Sequence, residues 1–372
     1  MKEYDIIIVG AGCSGLSLAY RLINTKYKVC VIDNNSKTNR IRKTWSYWDT
    51  YKHPFKELAK SFNNNLCISN NSNVTLDCSR HNYSSIDSYD FDKFIFKKID
   101  DSSNIEITFE TEVIDISEYE GSYKINMPNK SIQSKYVFDS RPASKPSKMK
   151  QVFKGLFIKT DEQLKTFKPT LMDFSDSNEF HFFYCLDMGN NTYLFESTYY
   201  TSLKKEQSEM TKEINKYIKE NYQINYSVIR EEYGEIPLTT NIRINNKNSK
   251  LTNIGIPAGS TRASTGYTFL NIQKQADEYI KKLAGEDYKE YSRTFKNVIL
   301  RKMDNILLMI IKDRPVYSKS ILFRLFERNE DNRIIRFLSD IPSIIDILII
   351  IWNMPKIIFI KYAIKSLTAR NL

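Results

Sequence analysis

Gly10-Ala11-Gly12-Cys13-Ser14-Gly15 has the spacing GxGxxG, and Asp33 follows 18 residues after Gly15. Each position has a physical task in holding a dinucleotide. Gly10 permits a tight turn, Gly12 lets the backbone approach a pyrophosphate, and Gly15 lets a helix pack closely on a strand. The helix that starts here offers free N–H groups and partial positive charge to phosphate. Asp33 supplies a carboxylate for ribose hydroxyls. Gly10, Ala11, Gly12, Ser14, Gly15 and Asp33 are therefore candidate nucleotide-binding residues. The motif by itself does not separate FAD from NAD, but its position ahead of a long, interleaved chain favours FAD.

Carboxylates are the next candidates for chemistry. Glu196 lies between Leu194-Phe195 and Tyr199-Tyr200. An acid in such surroundings keeps its proton, because burial disfavours the charged form. The same residue on the solvent face of a strand would be an ordinary partner for lysine. Glu232 and Glu235 are further acid/base candidates. Asp139-Ser140-Arg141 reads either as part of a nucleotide-binding domain, with Arg141 facing a flavin or its phosphates, or as a salt bridge at a strand end. Trp45, Tyr47 and Trp48 cluster in four residues and present aromatic faces that attract cations; packing is the alternative use. Three histidines and five scattered cysteines without a CxxC pair give no metal site and no disulfide framework.

The elements that must position these groups are legible as changes of period. Tyr4–Gly10 is a continuous apolar, β-branched run, a strand buried on both faces. Leu16, Ala19, Leu22 and Ile23 recur at helical spacing. Lys28–Asp33 is a second buried strand, so the chain opens with a β-α-β unit. Thr44–Asp49 reads as a loop, Asp90–Ile99 as a helix, and Ile105–Ile116, Tyr123–Met127 and Ile132–Asp139 as strands. Between 152 and 200 the alternating stretches are antiparallel sheet material. Gln207–Asn221 and Ile272–Leu283 read as helices, with strands at Ile229–Ile236 and Leu251–Gly255.

The fold expected is α/β: a Rossmann-like, glutathione-reductase-type FAD domain interleaved with an antiparallel-sheet domain, plus a helical C-terminal region. The division expected is 1–145 with 250–285 for FAD, 146–249 for substrate and 286–372 for the helices. At 372 residues, 41% hydrophobic and 27% charged, the composition excludes a disordered chain. Net charge is +11, which suits anionic substrates or lipid. No zinc-finger or RNA-recognition signature accompanies it, so nucleic acid is not expected. The first residues do not form a signal peptide, and no apolar run reaches about 18 residues, so no transmembrane helix is expected. Apolar bursts between 306 and 364, broken by lysine and arginine, read as a packed helical subdomain or as an interfacial surface. The expected location is cytoplasmic, peripheral to a membrane.

Several segments, in order along residues 5 to 275, resemble the lycopene cyclase family. Asp5–Gly15 with Asp33 is similar to its FAD fingerprint, and Thr44-Trp45-Ser46-Tyr47-Trp48 to its Thr-Trp-Cys-Phe-Trp. Asp139-Ser140-Arg141 resembles its Asp-x-Arg. Phe195-Glu196-Ser197-Thr198 resembles its acidic Glu-(Glu/Asp)-Thr segment. Glu232-Tyr233-Gly234-Glu235-Ile236-Pro237 is similar to Glu-x-Gly-x-Ile/Leu-Pro. Gly255-Ile256-Pro257-Ala258-Gly259 and Thr265-Gly266-Tyr267 resemble the second flavin segment. The resemblance implies proton-initiated conversion of the acyclic ends of lycopene to β-rings, by way of γ-carotene to β-carotene, with no net redox change. It implies reduced FAD with NAD(P)H as reductant. The implied partners are lycopene or a related acyclic carotenoid, a membrane surface and other enzymes of carotenoid synthesis. It favours Glu196 as the acid, with Glu232 beside it among the catalytic residues. Asp139, Arg141, Gly259, Thr265, Gly266 and Tyr267 join the cofactor residues, and Trp45, Tyr47 and Trp48 line a substrate pocket.

Two departures stand out. Arg262-Ala263 replace the family's frequent His-Pro. Glu196 is followed by Ser197, so a two-carboxylate relay at this spot is not expected. The competing readings are a geranylgeranyl-lipid reductase or flavin monooxygenase on the same fold, and a flavin- or lipid-binding carrier.

Overall fold

Ile6, Ile7 and Ile8 are fully buried at the start of the chain, as a strand sandwiched between two layers requires. They lie in β1 (Lys2–Val9), followed by α1 (Cys13–Leu22) and β2 (Val29–Ile32). The computed structural model describes residues 1–142, 147–243, 245, 249–287 and 295–368. The chain continues with β3 (Thr44–Trp48), β4 (Lys60–Asn63), β5 (Asn65–Ser69), β6 (Asn73–Asp77), β7 (Tyr83–Asp87), α2 (Ser88–Asp100) and β8 (Ile105–Thr108). Then come β9 (Asp115–Tyr119), β10 (Ser122–Met127), β11 (Lys130–Asp139), β12 (Lys150–Lys159), β13 (Thr170–Phe174), β14 (His181–Gly189) and β15 (Thr192–Thr201). After α3 (Gln207–Asn221), β16 (Ser227–Pro237) and β17 (Leu251–Asn253) the rest is helical. The helices are α4 (Phe269–Ala284), α5 (Phe295–Asp313), α6 (Pro315–Glu327), α7 (Asp331–Leu338), α8 (Ile344–Asn353) and α9 (Lys356–Thr368).

The first sheet runs β8-β2-β1-β11, with β17 and the antiparallel β10-β9 on the far edge of β11. Its pairs β8·β2, β2·β1, β1·β11 and β11·β17 are parallel. Successive side chains of a strand point to opposite faces. Ile6 and Ile8 accordingly pack with α1, α2 and α4, while Ile7 and Val9 pack with Val113, Ile125 and Met127. The second sheet runs β16-β12-β15-β14-β13-β5-β6. One face takes α3 through Met210, Ile214 and Ile218. The other meets the C-terminal helices, where Phe182, Leu194 and Tyr200 share a core with Leu322, Phe326 and Phe337. A small sheet, β3-β7-β4, lies apart from both in pairing.

Three details differ from the sequence reading. Thr44–Trp48 is a strand, not a loop, because it pairs residue by residue with β7 from Thr44↔Asp87 to Trp48↔Tyr83. The apolar stretch 105–116 breaks into two strands, with Glu110 between them in left-handed backbone at φ +53°. The second sheet also takes in β5, which joins β13 in parallel, and β6, both from the part of the chain assigned to FAD binding. The boundary expected at 145/146 lies outside the described residues.

At the β1–α1 turn the three glycines do separate jobs. Gly10 is left-handed at φ +98°, and a Cβ there would overlap the Ser140 hydroxyl. A Cβ on Gly15 would collide with the Gly10 carbonyl oxygen, whereas one on Gly12 meets nothing within 4 Å. Overpacking a close backbone contact costs about 1–3 kcal/mol. Gly15→Ala should therefore lower unfolding stability by about that amount, while Gly12→Ala leaves it within about 0.5 kcal/mol. Urea unfolding of the two variants beside the wild type checks this. Equal loss in both would contradict the assignment.

Candidate active site

The open space beside Gly12 is one end of a cavity of about 1070 Å³. Gly12, Cys13 and Ser14 face it from the α1 end, and Gly255, Thr265, Gly266 and Tyr267 face it from the loops around α4. Gly255, Gly259 and Gly266 are all left-handed, at φ +71°, +79° and +74°, which only glycine adopts without strain. Gly259 shapes its loop from behind, against Ile242, and is not a wall of the cavity. The N-terminus of α1 has no side-chain cap, leaving N–H groups free for an anion.

Asp33 is buried at the end of β2, where it accepts hydrogen bonds from Ala11 N and from Asn35 N and Nδ2 at 2.5–2.9 Å. It thus holds the glycine turn, and its carboxylate retains acceptor capacity. Arg40, in the stretch between β2 and β3, pairs with Asp92 and donates to the Ala11 carbonyl. Its buried Nη1 has no partner within the protein. An unpaired buried cation donor beside an open glycine turn fits the phosphates of a dinucleotide. Nothing in the local sequence separates Arg40 from Arg42 and Lys43 beside it. Asp139 and Arg141 behave otherwise. They pair with each other at 2.8 Å, Arg141 also donates to Val113 O, and neither lines the cavity, although Ser140 between them does.

Glu196, in the interior of β15, also lines the cavity. Register explains why it faces inward. Glu196 lies opposite Gly155 of β12 and Tyr184 of β14. Phe182, Tyr184 and Tyr200, on the same face of the sheet, also line the cavity. Its neighbours Phe195 and Ser197 point the other way, Phe195 into the core that includes α3 and Ser197 to His181 and Glu213. His181 is buried there, and burial lowers its imidazole to about 3, which holds it neutral. Thr198 Oγ1 donates to Glu196 Oε1 at 2.6 Å.

Contrary to the expectation of a lone carboxylate here, a second one reaches this spot from another strand, far away in the chain. Gly155 also lies opposite Glu232 of β16, so Glu196 and Glu232 flank a residue with no side chain. Thr44 Oγ1 donates to Glu232 Oε2 at 3.0 Å, and Arg230 Nη2 lies 3.2 Å from the same oxygen. Arg230 continues to Asp87 at 2.9 Å, and Asp87 to Arg42. Burial pushes the Glu196 carboxyl up to about 8, and the nearby charge of Glu232 pushes the same way. Burial raises Glu232 to about 7, against the pull of Arg230 and the Thr44 hydrogen bond. Glu235, by contrast, is ion-paired to Lys150 at 2.6 Å and sits below the usual range for its type.

The aromatic segment divides between the cavity and the cores. Trp45 lines the cavity and stacks on Phe269 with ring centroids 5.7 Å apart. Tyr47 is buried beneath, bonded to His53 at 2.9 Å. Trp48 is buried against Tyr83 and Tyr267, its Nε1 on Cys78 Sγ. The sequence reading grouped all three as pocket residues; the strand's alternation turns Trp45 and Trp48 to opposite faces. Tyr83, Tyr184 and Tyr267 join hydroxyls at 3.1–3.2 Å and offer three phenol rings to the cavity.

The far end of the cavity is apolar. Leu307, Leu322, Phe326, Phe337, Ile350 and Phe359 close it, drawing on all five helices from α5 to α9. Arg262 ties this lobe to the loop before α4. It is buried, lies 3.2 Å from both Asp304 and Asp340, and donates to Phe337 O. Breaking a buried ion cluster by removing one partner costs about 3–5 kcal/mol. Arg262→Met should lose about that much unfolding stability in a denaturant titration. A loss below about 1 kcal/mol would mean that the cluster does not hold the lobe.

Comparison with solved structures gives the same fold throughout. A geranylgeranyl bacteriochlorophyll reductase-like protein of Thermoplasma acidophilum aligns with a TM-score of 0.58 at 12% identity, covering 97% of this chain and 98% of the other. The p-nitrophenol 4-monooxygenase of Pseudomonas putida gives 0.59 at 13%, covering both chains fully. A flavoprotein/dehydrogenase of Cytophaga hutchinsonii gives 0.61 at 12%, covering 98% and 100%. The architecture is therefore the Rossmann-like flavoprotein fold expected. No curated protein sequence matches the chain. The family described as lycopene cyclase protein matches over residues 5–363, almost the whole length. With its glycine turn, its acidic strand and its C-terminal helices as far as residue 363 inside that match, the chain belongs to the lycopene cyclase family.

Proposed function

We propose that the protein is a lycopene β-cyclase that binds FAD along the Gly10–Gly15 turn and uses Glu196 as the acid of ring closure. The observation that carries this reading is a buried carboxyl, raised by its surroundings, on the wall of an apolar cavity that begins at the glycine turn. Gly12, Ser14, Arg40, Asp33, Thr265 and Gly266 would hold the cofactor. When bound, reduced FAD, recharged by NAD(P)H, supplies an electron-rich plane that stabilises a nearby cation. Glu196 gives its proton to C2 of the acyclic end, leaving a tertiary cation at C1. The C5=C6 π pair forms the C1–C6 bond, and loss of the C6 proton restores a neutral β-ring. One proton enters and one leaves, so no oxidant or reductant is consumed. Trp45, Tyr83, Tyr184 and Tyr267 exclude water and turn aromatic faces to the cation. A geranylgeranyl-lipid reductase or monooxygenase would instead consume nicotinamide in step with product.

Glu196→Gln keeps the shape and removes the acid. It should fold, retain FAD and cyclise lycopene about 100- to 10,000-fold more slowly. The wild-type rate should be level below the Glu196 value of about 8 and fall as pH rises through it, because only the protonated acid can donate. A fully active Glu196→Gln would remove Glu196 from the chemistry.

An apolar substrate of this class resides in a bilayer, and α8 and α9 suit one. On α8, Ile344, Ile345, Leu348, Ile351 and Trp352 recur at helical spacing and are 48–72% exposed. On α9, Ile357, Ile360, Ile364 and Leu367 form a second stripe, 59–88% exposed. Apolar stripes normally face a core; these face outward, while Ile350 and Phe359 of the same helices wall the cavity. Lys356 and Lys361 beside them are exposed and complement anionic headgroups, each contributing about 1 kcal/mol near the surface. No helix among the described residues is long and apolar enough to cross a membrane. The occupant proposed for this face is an anionic bilayer surface. The protein should sediment with phosphatidylglycerol vesicles, and Trp352→Glu with Ile357→Glu should abolish this without loss of bound FAD. Sedimentation unchanged in the double variant would overturn the surface assigned.

A further inference from the structure

Glycine at 155 is unexpected in the middle of a central strand, where it weakens the sheet and often marks a close approach. Here it lies between the two buried carboxylates, in register with both. A Cβ built on Gly155 would meet Glu232 Cγ at 3.1 Å, Glu232 Oε1 at 3.7 Å and Leu194 Cδ1 at 3.0 Å. Glu232 therefore leans over the bare backbone of β12 towards Glu196, through space that any other residue would fill. Glu232 does not line the cavity, and Glu196 does. The two thus form a front and a back carboxylate, and the back one is anchored by Thr44 and Arg230.

We propose that Gly155 is a window through which Glu232 controls the protonation of Glu196, making Glu232 a positioning residue for the acid. This deepens the cyclase reading and rests on it for the identity of the reaction alone. Two like charges that interact across this gap in low dielectric do not both ionise readily. Arg230 and Thr44 favour the charge on the back carboxylate, which leaves the proton on the front one, the member that faces substrate. Environments that push two carboxyls apart assign the roles of acid and anion. The other titratable groups around the pair do not supply this bias. Tyr184 and Tyr200 on the cavity side are raised phenols that stay neutral. Asp87 and Arg42 lie beyond Arg230. Lys43 and Asp304 line the same cavity, and Asp304 is engaged by Arg262 and Ser264.

The test reads the Glu196 carboxyl itself. In infrared difference titration, the protonated C=O band that disappears in Glu196→Gln identifies it. In FAD-loaded wild type its midpoint is expected near neutrality or above. In Glu232→Gln, where the anion is gone and Arg230 remains, the midpoint should fall by about one pH unit or more. Gly155→Ala, which forces Glu232 aside, should move it the same way. The falling limb of the pH–rate profile should shift with it. If Gly155→Ala does not fold, Glu232→Gln decides alone. A midpoint unmoved in folded Glu232→Gln overturns the inference. If the shift appears but lycopene is not cyclised, the coupling stands and the cyclase reading fails.

Discussion

Placing a carboxyl group in an apolar cavity costs several kcal/mol if it ionises there, and far less if it keeps its proton. Much of the second half of this chain is arranged around that asymmetry at Glu196. The antiparallel sheet presents Glu196 on the face that α3 does not cover. The C-terminal helices roof that face with Leu, Ile and Phe side chains. Its polar neighbours are few: a threonine on its own strand, phenols and one anchored carboxylate. Loosening any of these layers admits water, and water would return the acid to its ordinary range.

The same layers join the two ends of the site. The glycine turn belongs to the parallel sheet and the acid to the antiparallel one. The strand Thr44–Trp48 stands between them, turning Trp45 to the core of the first and Trp48 to the core of the second. Its first residue, Thr44, bonds the back carboxylate. The Arg262 cluster then fastens the loop before α4 to α5 and the segment after α7. A short strand and one buried cation thus link the glycine turn, Glu196 and the helical roof into one cavity.

Local features of this arrangement were legible in the sequence. Apolar runs and glycine spacing marked the β-α-β opening, and Gly10 and Gly15 sit in the tight turn and the close helix packing that their spacing implied. Glu196 was legible only with the family resemblance, because β15 is buried on both faces and has no alternation to mark its inner side. The pairing of Glu196 with Glu232 was not legible at all. It depends on the register of three strands whose paired residues are some 40 to 80 positions apart, and on a glycine that looks like any other. Arg40 was hidden among basic neighbours. Asp139 and Arg141 show the reverse: a spacing that suggested a ligand site is satisfied by the pair itself.

The central claim is that a proton from the protein starts the reaction and another leaves at its end, with nothing oxidised or reduced. The most direct measurement is the incubation of FAD-loaded enzyme with lycopene in deuterated water under reducing conditions, followed by mass and NMR analysis of the pigment. The account predicts β-rings with one deuterium at C2 of each ring and nicotinamide consumption far below product formed. A product carrying added hydrogen or oxygen, or rings without deuterium at C2, would contradict it.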